Sequence, residues 1–94
     1  MEILNKEVLT EFSIKHPNAR QPLSTWMDVV LAARWKNHVH LKTTFPSADL
    51  IGGSDYVFNI GGNNFRLLAA VSFTVGVVAV KWIKKHSDYD DWRR

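Results

Sequence analysis

Residues 56–83 read YVFNIGGNNFRLLAAVSFTVGVVAVKWI, and this stretch decides the architecture. Tyr56 to Ile60 is aromatic and β-branched, a composition that fits a pleated, half-buried surface. It runs into Gly61-Gly62-Asn63-Asn64, residues that tolerate positive φ and so permit a tight turn. Phe65 to Phe73 then reads as a second strand, Gly76 lies at the next turn, and Val77 to Ile83 reads as a third. The apolar run from Leu67 to Val80 spans 14 residues and is broken by Ser72, Thr74 and Gly76. That is short of the roughly 18 residues a membrane span needs, so two buried strands joined by a turn explain it better.

Upstream the period changes. Val8, Leu9 and Phe12 recur at helical spacing and Pro17-Asn18 stops the run, which predicts a helix from about Asn5 to His16. A second helix begins near Pro22, with Ser24 or Thr25 placed to cap it and Trp26, Val29, Val30 and Ala33 forming an apolar stripe. Ile3 and Leu4 read as a short strand before the pair. The expected fold is α+β, an N-terminal helical hairpin packed on an antiparallel three- to four-stranded sheet, with residues 1–94 forming a single domain. Helices on one face leave the other face of the sheet as a working surface.

A chain of 94 residues has no room for a second core. It buries only roughly two-thirds of its unfolded surface, so a partner that binds the native state adds substantially to its stability. There is no cysteine, which removes disulfides, thiolate metal sites and a cysteine nucleophile. The opening MEILNKEVLTEF carries Glu2, Glu7 and Glu11 and lacks the basic-then-apolar order of a signal peptide. A soluble, cytoplasmic protein without a membrane partner is expected. Net charge is +3, and its distribution matters more than its size. Arg34 to Phe45 holds Arg34, Lys36, Lys42 and two histidines with no acid, and Arg66 to Arg94 holds six bases against three acids. Clustered positive charge attracts polyanions such as RNA, although a solvated face on a basic protein has the same look.

Strand parity places the charges. Arg66, Leu68 and Ala70 share a face, and either Lys81 with Ile83 or Trp82 with Lys84 accompanies them, since a one-residue slip exchanges the two sets. An arginine in a strand of Leu, Ala and Val is costly unless it meets water or an anion. Arg66 therefore faces an open groove or pairs with a carboxylate such as Asp49 or Asp55. After the third strand come Lys84, Lys85, His86, Ser87, Asp88, Tyr89 and Asp90. Imidazole changes charge near neutral pH, and Tyr89 reaches the same place if the segment turns helically. Metal-free phosphodiester cleavage needs a base for the 2′-hydroxyl, cations for the pentavalent phosphate and an acid for the leaving 5′-oxygen. A surface histidine without a role fits the same spacing.

Other signals are weaker. His38 and His40 lack an evident third zinc ligand. Asp88, Asp90 and Asp91 lie beside Lys84 and Lys85 and read as a charge-paired turn more than a magnesium site. Neither Gly52-Gly53 nor Gly61-Gly62 sits between a strand and a helix, as a phosphate-cradling loop requires. Trp26 and Trp35, both placed on the second helix, read as core, whereas Trp82 and Trp92 stay open between packing and base stacking. No metal or cofactor is expected.

From Trp35 onward the chain resembles the HigB branch of the RelE/ParE toxin superfamily. The resemblance lies in Trp35, Leu41-Lys42 and Phe45-Pro46-Ser47-Ala48-Asp49, then Val57-Phe58-Asn59-Ile60, Gly62-Asn63 and Arg66-Leu67. It ends in Val80-Lys81, His86 and Tyr89-Asp90, similar to the family's Thr-His-x-x-Tyr-Asp run. Two departures add positive charge: Lys84-Lys85 stand where the family has Gly-Thr, and His40 stands where an acid often precedes the Leu-Lys pair. The resemblance implies a metal-independent endoribonuclease that cuts mRNA during translation on the ribosome, and a cognate helix-turn-helix (HigA-like) antitoxin. It also implies Arg66, Lys81, His86 and Tyr89 as the catalytic set. Arg66 and Lys81 then hold the scissile phosphate, and His86 and Tyr89 serve proton transfer or base stacking. Lys36, Lys42, Lys84 and Lys85 would hold the RNA backbone.

Two further readings stand beside this one. A ParE-like member would poison gyrase by protein contact, because a shared fold does not fix function. A non-catalytic RNA-binding module needs only the basic surface. The His86 and Tyr89 pair argues against the first, and the second stays open.

Overall fold

In a computed structural model, residues 1–87 are described. The chain opens with β1 (Glu2–Leu4), followed by α1 (Lys6–Lys15) and a single 3-10 turn at Pro17–Ala19. Then come α2 (Arg20–Ala32), α3 (His38–Thr44), β2 (Asp49–Gly52), β3 (Asp55–Ile60), β4 (Phe65–Ser72) and β5 (Val77–Lys85). The α+β class is as expected, and so are the three meandering strands.

The sheet is larger than expected and mixed. Its order is β1-β5-β4-β3-β2, five strands in place of three or four. All pairings are antiparallel except β1, which runs parallel to β5 with Ile3 opposite Val78. Parallel neighbours require a long crossover, and here the whole helical region and the meander lie between them. β2 adds an edge of four residues, of which Asp49, Leu50 and Gly52 are exposed, so it carries no in-out alternation for the eye to find.

The helices also depart from a plain hairpin. α2 starts at Arg20, directly after the 3-10 turn, and uses no side-chain cap from Ser24 or Thr25. Pro22 falls in the first turn, where backbone N–H groups have no helical acceptor and a missing donor costs nothing. α3 is an additional helix of seven residues, started by the Asn37 carboxamide oxygen, which accepts from the His40 N–H at 3.0 Å. Trp35 follows α2 and is not on it, yet it is core as expected, with its indole N–H donating to Thr44 Oγ1 at 2.9 Å. Among the described residues no helix is long and apolar enough to cross a membrane.

All three helices cover one face of the sheet. Tyr56, Phe58 and Ile60 of β3, Leu67, Ala69 and Val71 of β4, and Val78 and Val80 of β5 are buried there. Aromatic edges lock the layers: Phe58 takes Trp26 at 5.4 Å and Phe45 at 5.3 Å, and Phe45 takes Trp35 at 5.8 Å. The β3–β4 turn depends on Gly61 and Gly62, whose φ of 62° and 68° no β-branched residue adopts without strain.

Candidate functional site

The uncovered face carries the polar residues. Register sets Asn59 opposite Arg66, Val57 opposite Leu68 and Asp55 opposite Ala70, while Arg66 stands opposite Lys84 and Leu68 opposite Trp82. Trp82 and Lys84 are therefore the residues that accompany Arg66. Val57, Leu68, Ile51 and Trp82 form a small second apolar cluster on this face, and the Lys84 ammonium lies 4.9 Å above the Trp82 ring.

Lys81 joins the same face by a different route. The pairing of β4 with β5 shifts between Leu68 and Ala69, leaving Lys81 outside the ladder as a bulge. Its ammonium meets the Asp55 carboxylate at 2.8 and 3.0 Å. Asp55, one of the two carboxylates considered for Arg66, is thus taken by Lys81.

Arg66 is not in an open groove, and among the described residues no carboxylate pairs with it. It is 8% exposed, the one charged side chain in the described buried set. Its guanidinium donates to the Phe65 carbonyl at 3.1 Å and, at the limit of a hydrogen bond, to Asn63 Oδ1 at 3.5 Å. A guanidinium has five N–H donors, so most of its capacity is uncommitted among the described residues. A buried cation held only by neutral acceptors is expensive unless an anion arrives.

The β3–β4 turn also anchors His86, whose backbone N–H donates to the Asn64 carbonyl at 3.0 Å. One turn therefore positions both Arg66 and His86, through Asn63 and Asn64 respectively. Beside it opens a cavity of about 460 Å³, walled by His16, Asn18, Asn63, Asn64, Lys85 and His86 among others. His86 and Lys85 sit in its wall at the end of β5. Neither Arg66 nor Lys81 is part of that wall, and Lys81, five positions before His86, lies roughly 16 Å back along an extended strand. Tyr89 lies outside the described residues, as do Asp88 and Trp92.

The proposed backbone-binding lysines differ among themselves. Lys36 is exposed in the segment between α2 and α3. Lys42 is half-buried and its ammonium donates to the Pro46 and Ala48 carbonyls at 2.7 and 2.6 Å, which ties the end of α3 to the start of β2. Lys85 is exposed at the cavity and Lys84 lies over Trp82.

Sequence reasoning passed over His16 and gave Asn63 and His38 other roles. His16 reaches the site only through tertiary packing, since no spacing rule joins position 16 to position 86, whereas Asn63, read as a turn residue, contacts Arg66 three positions on. His38, weighed as a zinc ligand, has its Nδ1 2.7 Å from the Tyr56 hydroxyl with the rings stacked, and burial raises the Tyr56 pKa from the ordinary 10.0. Among the described residues no group of three or more His, Cys, Asp or Glu side chains is arranged to hold a metal ion.

Residues 19–92 match the family described as HigB_toxin, RelE-like toxic component of a toxin-antitoxin system. The mRNA interferase HigB of Escherichia coli O6:H1 is 30% identical over 96 residues, covering 100% of this chain and 93% of that protein. The mRNA interferase toxin HigB of Escherichia coli K12 is 29% identical over 92 residues, covering 96% and 88%, and the mRNA interferase HigB of Shigella flexneri is similar to the same extent. The matched segment contains Arg66, Lys81, His86 and Tyr89.

Proposed function

Because this chain belongs to the HigB family of RelE-like toxins, we propose that it is the toxin of a toxin-antitoxin pair and cleaves mRNA as a single-domain, metal-independent endoribonuclease. The observation that carries the proposal is Arg66, a buried guanidinium with spare donors and no carboxylate among the described residues, fixed by the turn that also fixes His86. Such a cation is prepared for a phosphate, where it stabilises the charge that develops in the transition state without having to reorganise.

In the reaction we infer, the 2′-oxygen attacks the adjacent phosphorus while His86 takes part in proton transfer and Tyr89 serves proton transfer or base stacking. Arg66 holds the non-bridging phosphate oxygens. Lys81 lies on the same face, and an RNA phosphate competes with Asp55 for its ammonium. Lys36, Lys84 and Lys85 supply backbone attraction, and Lys42 can join them only with the donor it does not spend on Pro46 and Ala48. The partners are a helix-turn-helix antitoxin and the translating ribosome, in the cytoplasm.

The test incubates the protein with RNA, with and without translating ribosomes, in excess EDTA and maps the new ends. Fragments with 2′,3′-cyclic phosphate and 5′-hydroxyl ends are expected. Cleavage that needs added magnesium, or gyrase poisoning without cleavage, overturns the mechanism, and RNA binding without cleavage reduces the chain to a binding module.

A further inference from the structure

We propose that His16 is a second proton-transfer residue of the cleavage site, lining the same cavity as His86. The inference rests on the ribonuclease reading above. His16 ends α1: its backbone N–H donates to the Phe12 carbonyl at 2.9 Å, and Pro17 prevents the helix from continuing. Its half-buried ring lies on Phe12, with centroids 4.3 Å apart and planes at 30°, and 6.3 Å from Phe65 at the start of β4. Two aromatic neighbours thus fix the imidazole while it forms part of the cavity wall. The end of β5, with His86 and Lys85, forms another part of the same wall. Asn18, Asn63 and Asn64 supply neutral polar groups between them.

This lining suits a ribonucleotide. The cavity, about 460 Å³, lies in the size range of small-ligand sites. Among the described residues its lining includes no carboxylate; the titratable groups facing it are His16, His86 and Lys85, and Lys15 precedes His16 on α1. Internal cleavage requires two proton transfers. The 2′-hydroxyl gives its proton to a neutral imidazole as the 2′-oxygen bonds to phosphorus. The bond from phosphorus to the 5′-oxygen breaks, its electron pair stays on that oxygen, and an imidazolium supplies the proton. No water, metal or redox partner enters the balance, and solvent exchange restores both rings. Two histidines from distant parts of the chain meet that need at one cavity. His16 lies three residues before the segment matched by the family, which starts at residue 19.

The competing role is packing against Phe12 and Phe65, and the substitutions separate the two. His16→Phe keeps an aromatic ring and loses the proton; His16→Gln keeps polarity and loses the ring. Cleavage of a defined RNA by the full chain is followed as a function of pH, with thermal unfolding recorded for each variant. Both variants are expected to cut roughly 10²–10⁴-fold more slowly and to lose one limb of the bell-shaped pH profile, with His16→Phe melting near the wild type. His16→Phe within a few-fold of the wild-type rate overturns the proposal, as does a slower variant that keeps both limbs. Wild-type protein that releases no cyclic-phosphate ends is a different failure and removes the ribonuclease reading along with this one.

Discussion

The two faces of the sheet treat charge in opposite ways. On the covered face, apolar side chains from three helices and four strands close over one another, and Tyr56 is the polar intruder, satisfied by His38. On the uncovered face lie Arg66, Lys81 and Lys84, only a few strand positions apart, and the first two are held in opposite ways. Lys81 is neutralised by Asp55 at 2.8 Å, whereas buried Arg66 is held by a carbonyl and a carboxamide. The first arrangement is complete by itself. The second leaves donors uncommitted among the described residues, which is what the proposed phosphate contact uses.

Substitutions on the two faces should therefore fail in different ways. The largest effect is expected from His86→Ala, which should lower cleavage roughly 10²–10⁴-fold while the protein still folds and still co-purifies with its antitoxin. Tyr89→Phe should act in the same direction and more weakly. Growth after induction, set beside antitoxin co-purification, checks both; full toxicity of both variants would take these residues out of the site.

Leu67→Ala, on the covered face, should cost about 2–5 kcal/mol of stability, because Leu67 is fully buried and its neighbours cannot collapse into the space. Antitoxin binding and activity should then fall together as the melting temperature drops. A variant that melts normally but has lost cleavage would erase the distinction between the faces.

Asp55→Asn probes the neutralised cation. The ion pair is partly exposed, so its loss should cost less than about 1 kcal/mol. RNA affinity should rise and its salt dependence steepen by about one charge as Lys81 is released to a phosphate. Unchanged binding in a salt titration would show that Lys81 takes no part in holding RNA.

The smallest effect concerns the polar exception in the core. Burial raises the Tyr56 pKa above 10.0, so the stability tied to its neutral form is present below pH 10 and declines as pH rises through the folded value. Tyr56→Phe should lose about 1 kcal/mol at neutral pH with the His38 hydrogen bond, and lose less than the wild type above pH 10. Denaturant unfolding at pH 8 and pH 11 measures the difference.

The strands that build the site were legible where composition and turn chemistry agreed. Tyr56–Ile60 and the Gly-Gly-Asn-Asn turn announce β3, the hairpin and the position of Arg66. Short elements with few buried residues stayed hidden: Leu41 is the buried residue of α3, and β2 has no inward alternation. Parity also misled at Lys81, because a bulge puts Lys81 and Trp82 on one face where a regular strand would separate them. The partner of Asp55 and the cavity shared by His16 and His86 are products of packing between residues far apart in sequence. No periodicity encodes them.

Arg66 offers the most direct test of the account. Cleavage rate at saturating RNA and RNA affinity are measured in EDTA for Arg66→Ala, with Lys85→Ala as the comparison. The account predicts a rate loss of roughly 10²–10³ for Arg66→Ala with little change in affinity, and for Lys85→Ala weaker binding with a salt slope reduced by about one charge. Equal losses of affinity with an unchanged rate at saturation in both variants would contradict it, and would make Arg66 one more contact to the RNA backbone.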